Sequence, residues 1–169
     1  MSNEFDIFIT VIIPIITLII GWLLNLFSTK ITFKKTRELE KRKLLQTKIE
    51  EIAKLIDEID QDYTQIWGKV VSNVRLGVKL NAEIVNIPNI PFSRVQILID
   101  FYFPKLKIEY NELIKEKNKF VVQLVSLIDE KNKTNQEGLI YAITDTSEKI
   151  KKACEEIISS SLEIAKEIL

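Results

Sequence analysis

The feature that most constrains this chain is a strongly apolar run near its N-terminus. Residues 7–29 form 23 consecutive positions without a formal charge, and most of residues 7–27 are Ile, Leu, Val, Phe or Trp. An α-helix rises about 1.5 Å per residue, so the run matches the roughly 30 Å hydrocarbon core of a bilayer. The sequence therefore predicts one transmembrane helix over residues 7–29.

Two other readings of this run are a cleaved signal peptide and a buried helix of a soluble domain. A signal peptide needs a basic N-terminal region and a shorter apolar core. Residues 1–6 instead carry Glu4 and Asp6 and no basic side chain. We therefore favour a membrane anchor preceded by a short tail, residues 1–6, outside the cytoplasm.

A basic segment, residues 30–44, follows the apolar run. Its cations outnumber Glu38 and Glu40, and by the positive-inside rule they keep the C-terminal part of the chain in the cytoplasm. The same side chains are candidates for contact with anionic lipid headgroups. They are Lys30, Lys34, Lys35, Arg37, Lys41, Arg42 and Lys43.

The apolar run also contains a stripe of small and polar residues. At 100° per residue its six members fall within an arc of about 80° on one face of a helix. We call them the polar stripe: Thr10, Pro14, Thr17, Gly21, Asn25 and Ser28. Small and hydroxyl-bearing residues let membrane helices approach closely, and an asparagine in hydrocarbon is costly without a partner. The stripe predicts contact with another copy or another membrane protein.

Three interpretations of the polar stripe remain open at this stage. It can be a dry packing seam of a dimer or small oligomer, the wetted lining of a pore, or an incidental feature of a lone anchor. Pro14 can kink the helix and free a carbonyl group for a neighbour or for water. Such a kink suits the first two interpretations equally.

Residues 45–169 predict an all-α domain, an antiparallel helical bundle of three long helices and one short one. The clearest helix carries apolar residues alternately three and four positions apart, which is a heptad pattern. We call this set the bundle seam: Ile49, Ile52, Ile56, Ile59, Tyr63, Ile66 and Val70.

The rest of the domain gives weaker patterns. Residues 86–93 read as a loop, residues 95–103 as a short apolar segment that is either core or docking surface, and Pro104 as a helix boundary. A second long helix over residues 105–131 places Tyr110, Ile114, Val121, Leu124 and Ile128 on one face. A final helix over residues 139–169 repeats isoleucine and small residues at heptad spacing.

The composition argues against most kinds of catalytic, metal-binding and nucleic-acid-binding site. The chain has no histidine and one cysteine, Cys154, which excludes imidazole catalysis and the usual zinc sites and disulfides. Its 24 basic side chains balance 24 acidic ones, so no nucleic-acid partner is predicted. With no phosphate-binding loop or catalytic signature, we expect no enzyme activity, no cofactor and no metal site.

In layout the chain resembles small single-span helical proteins of microbial genomes, including membrane effectors of antiviral or toxin systems. The polar stripe, together with the absence of an enzyme signature, favours a protein that self-associates through the stripe under control of its cytoplasmic domain and permeabilises the membrane. The alternative is a passive scaffold that tethers a soluble partner. The expected partners are the lipid bilayer, further copies of the chain and a protein regulator.

Overall fold

The computed structural model describes residues 13–78, 80, 91–128 and 136–168, with side chains from residue 15 onward. This described part is almost entirely helical and contains no strand, which confirms the all-helical prediction. Its elements, in chain order, are α1 (Ile13–Arg75), α2 (Phe92–Tyr102), a 3-10 turn (Pro104–Leu106), α3 (Lys107–Ile128) and α4 (Gln136–Ile168).

The chain divides into two compact units, Met1–Leu44 and Leu45–Leu169. α1 is a single 63-residue helix whose sequence contributes to both units. Pro14 is the second of its described residues. No proline follows until Pro88, so no proline interrupts the hydrogen-bond ladder of α1 after this position.

α1 ends in a main-chain motif around Gly77. The Gly77 N–H donates to the carbonyl of Val74, and the Val78 N–H donates to the carbonyl of Asn73 at 2.8 Å. This pair of bonds is the Schellman arrangement, which requires a left-handed residue after the helix. Gly77 fills that position with φ +65°, a conformation that costs glycine little.

Within the second unit, the apolar face of α1 forms one side of the core. The seven bundle-seam residues, Ile49 to Val70, are all at most 4 % exposed. Leu55 is buried beside them, and Trp67 is partly buried and donates from Nε1 to Thr144 Oγ1 of α4 at 3.1 Å. The alternating spacing of three and four residues is sufficient to place the bundle-seam side chains on one face of the helix.

Two prolines set the limits of α2. Pro91 precedes its first residue, and Pro104 begins the 3-10 turn after it. A residue before proline is disfavoured in the α-region, and Phe103 accordingly lies outside that region, with φ −137° and ψ 59°. Most of the short apolar segment is core: Val95, Leu98, Ile99 and Phe103 are buried, whereas Ile97, Phe101 and Tyr102 are exposed.

α3 buries a face that differs from the predicted one. Of the five residues predicted to share one face, Tyr110 and Leu124 are buried, whereas Ile114, Val121 and Ile128 are only partly buried. The positions that are buried instead are Leu113, Glu116, Phe120 and Leu127. α3 carries apolar residues on two adjoining stripes, and packing against α4 decides which stripe faces inward.

An ion-pair cluster joins α1 to α2. Glu51 accepts a hydrogen bond from Lys48 at 2.8 Å and another from Nε of Arg94, also at 2.8 Å. These bonds lower the pKa of the Glu51 carboxyl group, the Lys48 bond contributing most and the Arg94 bond next. The cluster fixes the start of α2 against the first turns of α1 within the second unit.

Replacing Tyr63 by Phe should stabilise the second unit. The Tyr63 ring packs edge-on against Phe120 at 5.1 Å and against Phe92 at 6.3 Å, but its buried hydroxyl has no hydrogen-bond partner in the described part of the chain. Removing an unsatisfied buried hydroxyl should raise the free energy of unfolding by about 1–3 kcal/mol. The measurement is denaturant unfolding of the full chain in detergent, followed by circular dichroism.

Tyr110→Phe is the matched control for that substitution. The Tyr110 hydroxyl donates to the carbonyl of Phe92 at 2.7 Å, so its removal leaves a carbonyl without this partner. We expect Tyr110→Phe to lower the unfolding free energy by about 1 kcal/mol. Equal losses of unfolding free energy in Tyr63→Phe and Tyr110→Phe would contradict the conclusion that only the Tyr63 hydroxyl is buried without a partner.

Glu51→Gln should lower stability at neutral pH and change its pH dependence. A carboxyl group whose pKa is lower in the folded state contributes stability above its unfolded pKa and loses it as pH falls through the folded pKa. The difference in Tm between the wild type and Glu51→Gln should therefore be largest near pH 7 and shrink below about pH 4.3, the ordinary glutamate pKa. Glu163→Gln, at an exposed position of α4, is the control. A difference that does not change with pH would contradict the prediction.

Candidate functional site

The apolar side chains that the structure describes in the first unit are exposed. Every described side chain from residue 15 to residue 44 is exposed, and the large apolar ones include Leu18 at 73 %, Trp22 at 63 % and Phe27 at 62 %. Within the described residues, α1 is the one helix long and apolar enough to cross a membrane, and its most apolar window has no buried residue. A core helix of a soluble domain would bury such a window.

The polar stripe lies within this exposed apolar surface. Thr17, Gly21, Asn25 and Ser28 are exposed positions of α1, so the helix places them along one face. Pro14 belongs to the helix, but its side chain lies outside the described part of the structure. Thr10 lies outside the described residues altogether. The kink predicted at Pro14 therefore stays a prediction.

Asn25 has a neighbour within its own helix. The Thr29 hydroxyl donates to the main-chain carbonyl of Asn25 at 2.8 Å and approaches its side-chain Oδ1 at 3.4 Å. In both contacts Asn25 is the acceptor, so its two amide hydrogens take no part in them. Those hydrogens are the groups that would gain most from an acceptor on a second helix.

Further threonine residues follow the predicted polar stripe along α1. Thr32 donates to the carbonyl of Ser28 at 2.9 Å, and Thr36 donates to the carbonyl of Thr32 at 3.0 Å. With Thr29, these residues extend the same side of α1 into the basic segment. Their spacing of three and four residues is visible in the sequence, but they lie beyond the uncharged run that defined the stripe.

Gly21 has no packing role among the described residues. A Cβ atom built at this position meets nothing within 4 Å. Glycine inside a helix costs about 0.5–1 kcal/mol relative to alanine, and the described packing offers no compensation. Glycine in membrane helices commonly permits the close approach of a second backbone. Gly21 is therefore the position on the stripe where an external helix would come nearest.

The seven basic residues after the run are all exposed. Four of them, Lys30, Lys34, Arg37 and Lys41, are spaced by four, three and four residues and share one helical face. This row was not recognised from the sequence, where the cations were counted as a group. A row of cations next to an apolar helix surface can contact a layer of phosphate groups.

The described residues outside the first unit offer little reactive chemistry. Cys154 is 1 % exposed on α4, and burial, reinforced by Asp60, Glu155 and Asp57, raises the pKa of its thiol to about 12. The thiol is therefore protonated at neutral pH. Among the described residues, no three Cys, Asp or Glu side chains are grouped so that they could hold a metal ion.

Comparison with known proteins gives this chain no relative. No protein-family model matches it, and no curated protein or solved structure shows significant similarity to it.

Proposed function

We propose that this chain is a single-span membrane protein that self-associates through the polar stripe of α1 and, once assembled, permeabilises the membrane. The observation that carries the proposal is the fully exposed apolar surface of residues 15–27, interrupted on one face by Thr17, Gly21 and Asn25. An apolar surface of this kind needs lipid, and its polar face needs a partner within that lipid.

The association step depends on two features of the stripe. Gly21 leaves space for a second helix, and the amide hydrogens of Asn25 can donate to a polar group on it. Hydrogen bonds of this kind between membrane helices are worth about 1–2 kcal/mol. Thr17 adds a hydroxyl on the same face one helical turn before Gly21. Because each chain offers one candidate span among its described residues, the helix that meets the stripe would come from another molecule, and we propose that this molecule is a second copy of the chain.

The second unit is proposed to be a cytoplasmic antiparallel helical bundle that controls the assembly without enzyme activity. Its surface would receive a protein regulator, and no cofactor or nucleic acid is required. The orientation is supported by the seven basic residues between Lys30 and Lys43, which would contact headgroups on the cytoplasmic side.

Asn25→Leu is the variant that tests the proposal. Removing the amide should weaken self-association in lipid by about 1–2 kcal/mol, about fivefold to thirtyfold in the dissociation constant. It should also abolish dye release from vesicles containing the protein and depolarisation of bacteria that express it. Self-association is measured by energy transfer between labelled copies, separately from the leak.

Phe27→Leu is the matched control, because it lies on the opposite face and keeps the helix apolar. It should leave both association and leak unchanged. A leak that persists in Asn25→Leu would refute permeabilisation through the stripe. Wild-type association without any leak would instead favour a dry packing seam.

The passive-scaffold alternative has its own test. If the protein only tethers a soluble partner, replacing residues 7–28 by polyleucine should leave its function intact.

The orientation can be measured separately. A tag placed after Leu169 should be protected from external protease in intact cells, whereas a tag placed before Met1 should be cleaved. Changing Glu4 and Asp6 to lysine should increase the fraction of chains with the opposite orientation, because it places basic residues on both sides of the span. Cleavage of the C-terminal tag in the wild type would contradict the assignment.

A further inference from the structure

The cations of the basic segment, residues 30–44, are sorted by helical face. At 100° per residue, the row from Lys30 to Lys41 described above lies within an arc of about 80° on the side of α1 opposite the polar stripe. Leu23 of the apolar run lies on the same side. This row therefore continues the side of the span that faces lipid when the stripe faces another helix.

Two other cations lie on the stripe side of α1. Counted from Ser28, the positions four, seven, eleven and fifteen residues further along fall within the same arc of about 80° as the stripe itself. They are Thr32, Lys35, Leu39 and Lys43, and all four are exposed. The two acids of the segment, Glu38 and Glu40, lie about 100° to either side of this line. The stripe face thus continues beyond the uncharged run as a positively charged surface.

This sorting of charge is a feature separate from the small residues of the stripe. Association through the stripe would bring the exposed Lys35 side chains of the copies towards a common axis. Like charges that face each other repel, and the field between them attracts small anions and repels cations. Rings of lysine or arginine are how anion-conducting pores select their ions.

We propose that the path opened by association of the stripes passes anions in preference to cations, with Lys35 as the principal selectivity residue. The inference rests on the proposed permeabilisation and names its substrate class, small inorganic anions such as chloride. The row from Lys30 to Lys41 does not contribute to the selectivity, because it lies on the opposite side of the helix and would contact headgroups.

The selectivity is measured on full-length protein in planar bilayers of phosphatidylcholine, a lipid without net charge that does not itself enrich either ion. Potassium chloride solutions of unequal concentration bathe the two sides, and the reversal potential gives the ratio of chloride to potassium permeability. We expect a ratio of at least about five, because two unit charges about 8 Å from an ion in water change its local concentration by about that factor.

Lys35→Glu is the first variant. It should bring the permeability ratio close to one, because the new glutamate offsets the charge of Lys43 on the same arc. Energy transfer between labelled copies checks that the variant still associates, so that a changed ratio reports on the path and not on its loss.

Leu39→Glu and Leu44→Glu form a matched pair that separates the face from the total charge. Both leucines are exposed, at 57 % and 48 %, and both substitutions add one negative charge. Leu39 lies at the centre of the stripe arc, whereas Leu44 lies about 140° away from it. Leu39→Glu should lower the ratio, and Leu44→Glu should leave it as in the wild type.

The outcomes separate this inference from the function on which it rests. A wild-type current carried mainly by potassium would overturn the anion preference and leave the proposed permeabilisation standing. Equal effects of Leu39→Glu and Leu44→Glu would also overturn the inference, since charge would then act regardless of face. A wild type that associates but passes no current would refute the permeabilisation itself, and the anion preference with it.

Discussion

The exposed apolar surface of residues 15–27 is the constraint on which the rest of this protein depends. Apolar side chains left in water cost roughly 25 cal/mol for each Å² of surface, and few monomeric soluble proteins expose a continuous patch of this extent. The described apolar side chains of this stretch are exposed. The second unit, by contrast, buries its isoleucine-rich seam. The second unit thus meets this requirement within its own described residues, and the first unit does not.

One charged side chain of the second unit is buried in its core at a cost in stability. Glu116 is only 4 % exposed and accepts a hydrogen bond from Lys119 on one carboxylate oxygen, while the other oxygen is buried without a hydrogen-bond partner among the described residues. An unpaired buried acceptor lowers the free energy of unfolding. The isoleucine-rich seam of the same core carries no such cost, because its side chains have no polar atoms to satisfy.

Prediction from sequence was most informative where one periodic stripe was present. The spacing of Ile49 to Val70 leaves one choice of face, and the structure buries every member of that set. α3 carries two adjoining apolar stripes, so local pattern could not choose between Leu113 and Ile114. The burial of Glu116 on α3 could not be predicted from the sequence either, because a glutamate on a helix usually faces water. Its burial depends on the helices that pack against α3, and the local sequence does not contain that information.

The threonines after the membrane run illustrate a different limit. Thr32 and Thr36 satisfy their hydroxyl groups on carbonyls of the preceding turn, so they can face lipid, headgroups or protein with little penalty. The uncharged run in which the polar stripe was defined ends before Lys30, so these threonines lie outside the predicted set. Their hydrogen bonds within the helix depend on its three-dimensional geometry and are seen only in the structure.

The repeated isoleucines of α4 also bear on how this chain can change in length over evolution. Ile143, Ile150 and Ile157 divide the helix into equivalent heptads. Insertion or deletion of one complete heptad leaves every remaining side chain on its original face. A change of three or four residues turns the following face away from the core by up to about 60°. Natural variants of this protein should therefore differ in the length of α4 by whole heptads.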